Sequence, residues 1–139
     1  MSPRYLLDTN VVSEHLRPRP NVGLVARIEQ NEGEIAIAAP VWHELWFGCR
    51  RLPLSTRRAE IEAYLNNVVA VTMQILPYDT RAAEWHAIER ARLTSVGKTP
   101  AFVDGQIAAV AVTNDLALVT LNAAHYGGFS TLSLLDWSS

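Results

Sequence analysis

Arg4-Tyr5-Leu6-Leu7-Asp8-Thr9-Asn10-Val11-Val12 opens the sequence with an apolar run that stops at an acid. Residues 4–7 read as a short strand. Residues 9–16 read as a helix that Pro18 and Pro20 end, since proline lacks the N–H a helix needs and clashes with the preceding turn. Asp8 sits at the junction. It is a good N-cap, and it also lies beyond the carboxyl end of a strand, the edge where open α/β sheets hold their ligands. The alternation recurs downstream. Asn21 caps a helix to about Asn31, with Val22, Val25, Ala26 and Ile28 supplying much of its apolar content. Residues 34–38 (EIAIA) form a candidate strand. Pro40 then opens a helix in its first turn, where the missing N–H costs little, and the helix runs towards Arg51. Ser55 caps a long helix to about Val69, with Ile61, Tyr64, Leu65 and Val68 on one face. Residues 73–76 are a third strand. Asp79 or Thr80 begins a helix through Trp85 and Ile88 to Leu93, Gly97 breaks it, and Pro100 begins an alanine-rich helix ending near Asn114. Residues 116–120 (LALVT) are a fourth strand and 132–135 a candidate fifth. Strands alternating with helices predict an α/β fold whose parallel sheet is covered on both faces.

At 139 residues a single core is the default, so 1–139 reads as one domain. Apolar residues make up 49% of the chain, enough to fill that core and to exclude a disordered chain. No apolar run reaches the roughly 18 residues a spanning helix needs, and the first residues lack a signal-peptide pattern. Cys49 is the only cysteine, which excludes an intrachain disulfide. The expectation is a cytoplasmic protein with no membrane partner. A net charge of -2 argues against a bulk nucleic-acid binder. The basic residues are nevertheless unusual: all are arginine except Lys98. Arg17 and Arg19 form one cluster, and Arg50, Arg51, Arg57 and Arg58 another. Arginine suits bidentate phosphate contact, although such runs are also ordinary solvated helix ends.

Two further acids stand out by position. On a helix, Val41, Glu44, Leu45, Gly48 and Leu52 share a face, so Glu44 points with apolar residues. Pro100, Asp104, Ile107, Ala108 and Ala111 share another, and Asp104 is its one charge. The ordinary alternatives are a half-exposed Glu44 near Arg50 or Arg51, and an Asp104 favoured by its helix dipole. A buried unpaired carboxylate costs several kcal/mol (order of magnitude), so such acids should be paired, protonated or metal-bound. If Asp8, Glu44 and Asp104 converge at one sheet edge, their repulsion calls for a cation. Hard oxygen donors select Mg²⁺, or Mn²⁺ in its place, over zinc. His15, His43, His86 and His125 are scattered, with no zinc-ligand spacing. There is neither a phosphate-binding G-x-x-x-x-G-K-[ST] loop nor a G-x-S-x-G elbow.

Four segments together resemble the PIN-domain family, especially its VapC-type toxins. They are Leu6-Leu7-Asp8-Thr9-Asn10, Val41-Trp42-His43-Glu44-Leu45-Trp46-Phe47-Gly48, Phe102-Val103-Asp104-Gly105-Gln106-Ile107-Ala108-Ala109 and Leu118-Val119-Thr120-Leu121-Asn122. The match spans nearly the whole chain in order. The resemblance implies a PIN-like three-layer α/β/α sandwich with a short, mainly parallel sheet of four or five strands. It implies Mg²⁺- or Mn²⁺-dependent endoribonuclease activity, with Asp8, Glu44 and Asp104 as the acidic site and Thr9 and Thr120 ordering it by hydrogen bonds. It also implies a cognate antitoxin as partner, a homodimer, and a heterotetramer or larger assembly with that antitoxin. One departure matters. Where many relatives carry a fourth acid, this chain has Asn122 and then Ala123, Ala124, His125 and Tyr126. Asn122 can offer a carbonyl oxygen but no charge, so a second metal would be held loosely.

Two other functions compete with the RNA-cleaving toxin. A non-catalytic module that binds RNA or a protein partner would also suit a degenerate fourth acid. A phospho-receiver domain places acids at strand ends too, but it pairs them after the first strand, where this chain has Thr9, and needs a lysine such as Lys98 at the site.

Overall fold

The computed structural model describes residues 2–138. Among the described residues five strands form one sheet: β1 (Tyr5–Leu7), β2 (Ile35–Ala38), β3 (Gln74–Leu76), β4 (Ala117–Val119) and β5 (Leu134–Leu135). Their order is β3-β2-β1-β4-β5, and every pairing is parallel. Leu6, Leu7, Ala36, Ile37, Ala38, Leu118 and Val119 are wholly buried, as expected for a parallel sheet covered on both faces. The register matters most for the site. Leu7 lies opposite Val119, and the Asp8 N–H donates to the Val119 carbonyl at 2.9 Å. The residues that follow β1 and β4 therefore emerge side by side.

Helices flank the sheet: α1 (Thr9–Val12), α2 (Val22–Gln30), α3 (Ala39–Arg50), α4 (Thr56–Tyr64), α5 (Ala70–Thr72), α6 (Thr80–Ser95) and α7 (Phe102–Thr113). Asn21, Ser55 and Asp79 cap α2, α4 and α6 through their side-chain oxygens. Gly97, at φ 73°, takes the left-handed conformation that closes α6, and the Lys98 N–H returns to the Leu93 carbonyl at 2.8 Å. Among the described residues no helix is long and apolar enough to cross a membrane.

Three details differ from the sequence expectation. The helix over 9–16 stops at Val12 and tightens into a 3₁₀ turn, Ser13–Leu16, because the β-branched pair Val11-Val12 supports a short helix poorly. The long helix contains a π turn, Leu65–Val69, in which the Ala70 N–H reaches back to Leu65. Leu65 and Val69 turn inward there and Val68 turns out to solvent, so the apolar row does not run through Val68. In α2 the buried anchor is Leu24, while Val22 is exposed.

Candidate active site

Asp8 is fixed from three directions. Its Oδ1 accepts the Thr9 N–H at 2.8 Å, which caps α1. Its Oδ2 accepts the Thr120 hydroxyl at 2.9 Å and the Tyr126 hydroxyl at 3.1 Å. Thr120 follows β4 directly, so the parallel register delivers it to Asp8, and the Asn122 N–H holds its Oγ1 at 3.0 Å. Asp8 is thus both a helix cap and a carboxylate at the carboxyl edge of the sheet. Its orientation is set by these donors, not by a neighbouring arginine.

Glu44 comes from the second turn of α3. Val41, Leu45 and Cys49 form the buried row of that helix, and Glu44 lies half-buried at its margin. The Thr9 hydroxyl donates to Glu44 Oε2 at 2.9 Å. Thr9 therefore links two acids, through its N–H to Asp8 and its hydroxyl to Glu44. Neither Arg50 nor Arg51 pairs with Glu44. Both lie instead over aromatic rings of their own helix.

Asp104 stands in the first turn of α7, half-buried, with His125 Nδ1 at 3.9 Å from its Oδ2. Burial first, and the negative charge of Asp8 second, push its carboxyl above the usual carboxylate range. His125 and the Tyr126 hydroxyl oppose that shift. The Tyr126 hydroxyl lies among the acids, and burial together with Asp8 and Asp104 drives its pKa far upward, so it stays a proton donor. The height of Asp104 is set by contact. A Cβ on Gly105 would lie 2.1 Å from His86 Nε2, so α7 rests on α6 where only glycine fits. His86 is 2% exposed, its Nδ1 pairs with the Tyr78 hydroxyl at 2.8 Å, and its Nε2 has no hydrogen-bond partner. Burial, and then the charge of Arg90, hold its pKa down.

The fold thus gathers Asp8, Thr9, Glu44, Asp104, Thr120 and the Asn122 backbone around Tyr126. Among the described residues, no arginine or lysine forms an ion pair with these acids. Nor does any group of three His, Cys, Asp or Glu close on one point as a ready metal cage. An apolar cavity of about 140 Å³, lined by His15, Ile28, Tyr64 and Met73 among others, shares no residue with this cluster. Sequence reasoning missed Tyr126 and His125 as members of the site. The available signal was their place one 3₁₀ turn, Ala123–His125, beyond Thr120. Two buried acids lie outside the site. Glu14 accepts the Asn21 N–H at 2.9 Å, and Glu89 accepts from Arg92 and Ser130.

The fold and the acidic edge of its sheet define a class, and the chain belongs to the PIN domain family, whose model matches residues 5–126. The VapC ribonuclease Y4jK of Sinorhizobium fredii is 31% identical over 124 residues, covering 87% of this chain and 89% of that protein. The crystal structure of FitAcB from Neisseria gonorrhoeae superimposes with a TM-score of 0.86 at 29% identity, covering 94% of this chain and 96% of that one. A member of the VapBC family of toxin-antitoxin systems, VapBC-5 from Mycobacterium tuberculosis, gives a TM-score of 0.68 at 26% identity over 96% of this chain and 98% of that one.

Proposed function

We propose that the chain is a divalent-cation-dependent endoribonuclease of the VapC type, acting as the toxin of a toxin–antitoxin pair. The observation that carries this reading is the gathering of Asp8, Glu44 and Asp104 at one sheet edge, where hydroxyls of Thr9, Thr120 and Tyr126 hold Glu44 and Asp8 and, among the described residues, no arginine or lysine pairs with any of the three acids. The relatives named as a VapC ribonuclease and a VapBC toxin–antitoxin member support it.

The donor set fits Mg²⁺, with Mn²⁺ as a substitute. It consists of hard carboxylate oxygens, and the charge of Asp8 pushes against that of Asp104. Asp8 and Asp104 would hold the ion, with Glu44 completing the shell directly or through water. Bound there, the cation would lower the pKa of a water and neutralise charge developing on a phosphate. The chain's own groups do the rest. Thr9, Thr120 and Tyr126 hold Asp8 in one orientation, and Thr9 aims Glu44. Glu44, half-buried and free of a basic partner, would orient the attacking water and take its proton. Asn122 brings no charge where a fourth acid would stand, so a second cation would be weakly held. The partners of this reading are an RNA substrate and a cognate antitoxin.

Purified protein should cleave single-stranded RNA with Mg²⁺ and stop in EDTA, and Asp104→Asn should abolish cleavage. A variant that cuts as well as the parent sinks the mechanism. A second reading, a module that binds RNA or a protein without turnover, suits Asn122 standing where a fourth acid would bring charge. RNA binding with no cleavage at any Mg²⁺ or Mn²⁺ concentration would select it.

A further inference from the structure

The outer face of α3 carries a row of planar groups that the catalytic reading does not use. His43, Phe47 and Arg51 follow one another at intervals of four residues, which places them on one face of a helix. Phe47 is 60% exposed, a high value for so large an apolar side chain. The His43 and Phe47 rings are stacked, with centroids 6.2 Å apart and planes 17° from parallel. The Arg51 guanidinium lies 5.9 Å from the Phe47 ring centre, and that of Arg50 lies 5.1 Å from Trp46. Among the described residues neither Arg50 nor Arg51 has an ion-pair partner.

One arginine of the second cluster also reaches the segment that holds the first. Arg57, in the first turn of α4, donates to the Leu16 carbonyl at 2.6 Å, which brings it to the segment holding Arg17 and Arg19. Arg17 is partly engaged by Glu14 at 3.4 Å, whereas Arg19 has no ion-pair partner among the described residues. The row begins one residue from the site in sequence, since His43 immediately precedes Glu44 on α3, but on the more exposed side of that helix. From His43 to Arg51 the helix rises about 12 Å, a span of roughly two nucleotides of extended single strand.

We propose that this face of α3 is the track on which single-stranded RNA docks as it enters the site, its bases stacking along His43 and Phe47 and its phosphates meeting Arg50 and Arg51. The proposal rests on the nuclease reading. Charge complementarity selects a polyanion as the occupant. An apolar partner would bury two arginines with no counter-charge, whereas phosphates supply it and flat bases suit the exposed ring.

The test is fluorescence anisotropy of a labelled single-stranded 12-nucleotide RNA with the full chain in EDTA, which separates binding from cleavage. Phe47→Ala should weaken binding about ten-fold, and Phe47→Tyr should restore it. Arg50→Ala with Arg51→Ala should flatten the slope of log affinity against log salt by about 1.4, the value for two phosphate contacts on a single strand. Ile88→Ala, an exposed change on α6, should leave binding unaltered. The track is overturned if the parent binds no RNA, or if Phe47→Ala binds within two-fold of the parent. It is equally overturned if Phe47→Ala lowers the sedimenting mass, which would make the face a contact between copies. Tight binding that needs Phe47 but never leads to cleavage keeps the track and removes the nuclease. Cleavage with an unchanged KM in Phe47→Ala does the reverse.

Discussion

Gly105→Ala tests whether the contact between α6 and α7 sets the position of Asp104. The new Cβ would lie 2.1 Å from Nε2, 2.5 Å from Cδ2 and 2.9 Å from Cε1 of His86. Carbon contacts settle near 3.5–4.0 Å, so one partner must retreat by about 1.4 Å or more. His86 has little room to do so, being buried, bonded to Tyr78 and 4.9 Å from the Phe102 ring. The shift therefore falls largely on α7. Overpacking of this kind costs about 1–3 kcal/mol or more, against a gain of about 0.5–1 kcal/mol from placing alanine in a helix. A net loss of about 1–2 kcal/mol lowers the melting temperature by roughly 3–10 °C in a domain of this size. Thermal and urea unfolding would measure it. His86→Ala should remove the clash, so the double variant should be destabilised by clearly less than the sum of the two single changes. A Gly105→Ala protein more stable than its parent would refute this reasoning, because helix propensity alone would then have decided the outcome.

Glu89 is held at about 2, from an ordinary 4.5, by Arg92 and by the Ser130 N–H and hydroxyl against the opposing effect of burial. A depressed carboxyl stabilises the fold above its unfolded pKa and loses that contribution as pH falls through the folded one. Glu89→Gln should therefore melt below the parent at pH 7, with the gap closing between pH 4.5 and about 2. Asp104 has the opposite sign, since a raised pKa makes its ionised form a burden on the folded state. In EDTA at pH 7, Asp104→Asn should melt above the parent, and an equal or lower melting temperature would count against the crowding of the two acids. Tyr126→Phe removes a buried donor to Asp8 Oδ2 and should cut RNA cleavage about ten-fold or more while leaving the fold intact by circular dichroism.

Much of this architecture was legible because strands and helices alternate along the chain as far as β4. The runs over 4–7, 34–38 and 116–120 are short, apolar and bounded by breakers, and the structure makes each a buried parallel strand. The pairing of Leu7 with Val119 turns two distant motifs into neighbours, and so brings Thr120 to Asp8. The direction of Asp104 is less legible from its helix face. Gly105, Ala109 and Val110 are buried along with Ile107, Ala108 and Ala111, so α7 is enclosed on most sides and the direction of one residue says little. Tyr126 and His125 were noted only as residues standing where an acid is often found, because their part in the site depends on the 3₁₀ turn Ala123–His125 and on long-range contacts to Asp8 and Asp104. His86 escaped notice for a related reason. Its fit against Gly105 is a long-range contact between two helices, visible only once they pack.

The central claim is that Asp8 and Asp104 hold a divalent cation, and calorimetric titration with Mn²⁺ addresses it most directly. The parent should show saturable binding of one well-held ion, with any second ion loose. Asp8→Asn and Asp104→Asn should each abolish the tight phase, and Asn122→Asp should strengthen the second. Parent protein that takes up no Mn²⁺ at millimolar concentration, or variants that bind it as the parent does, would contradict the account.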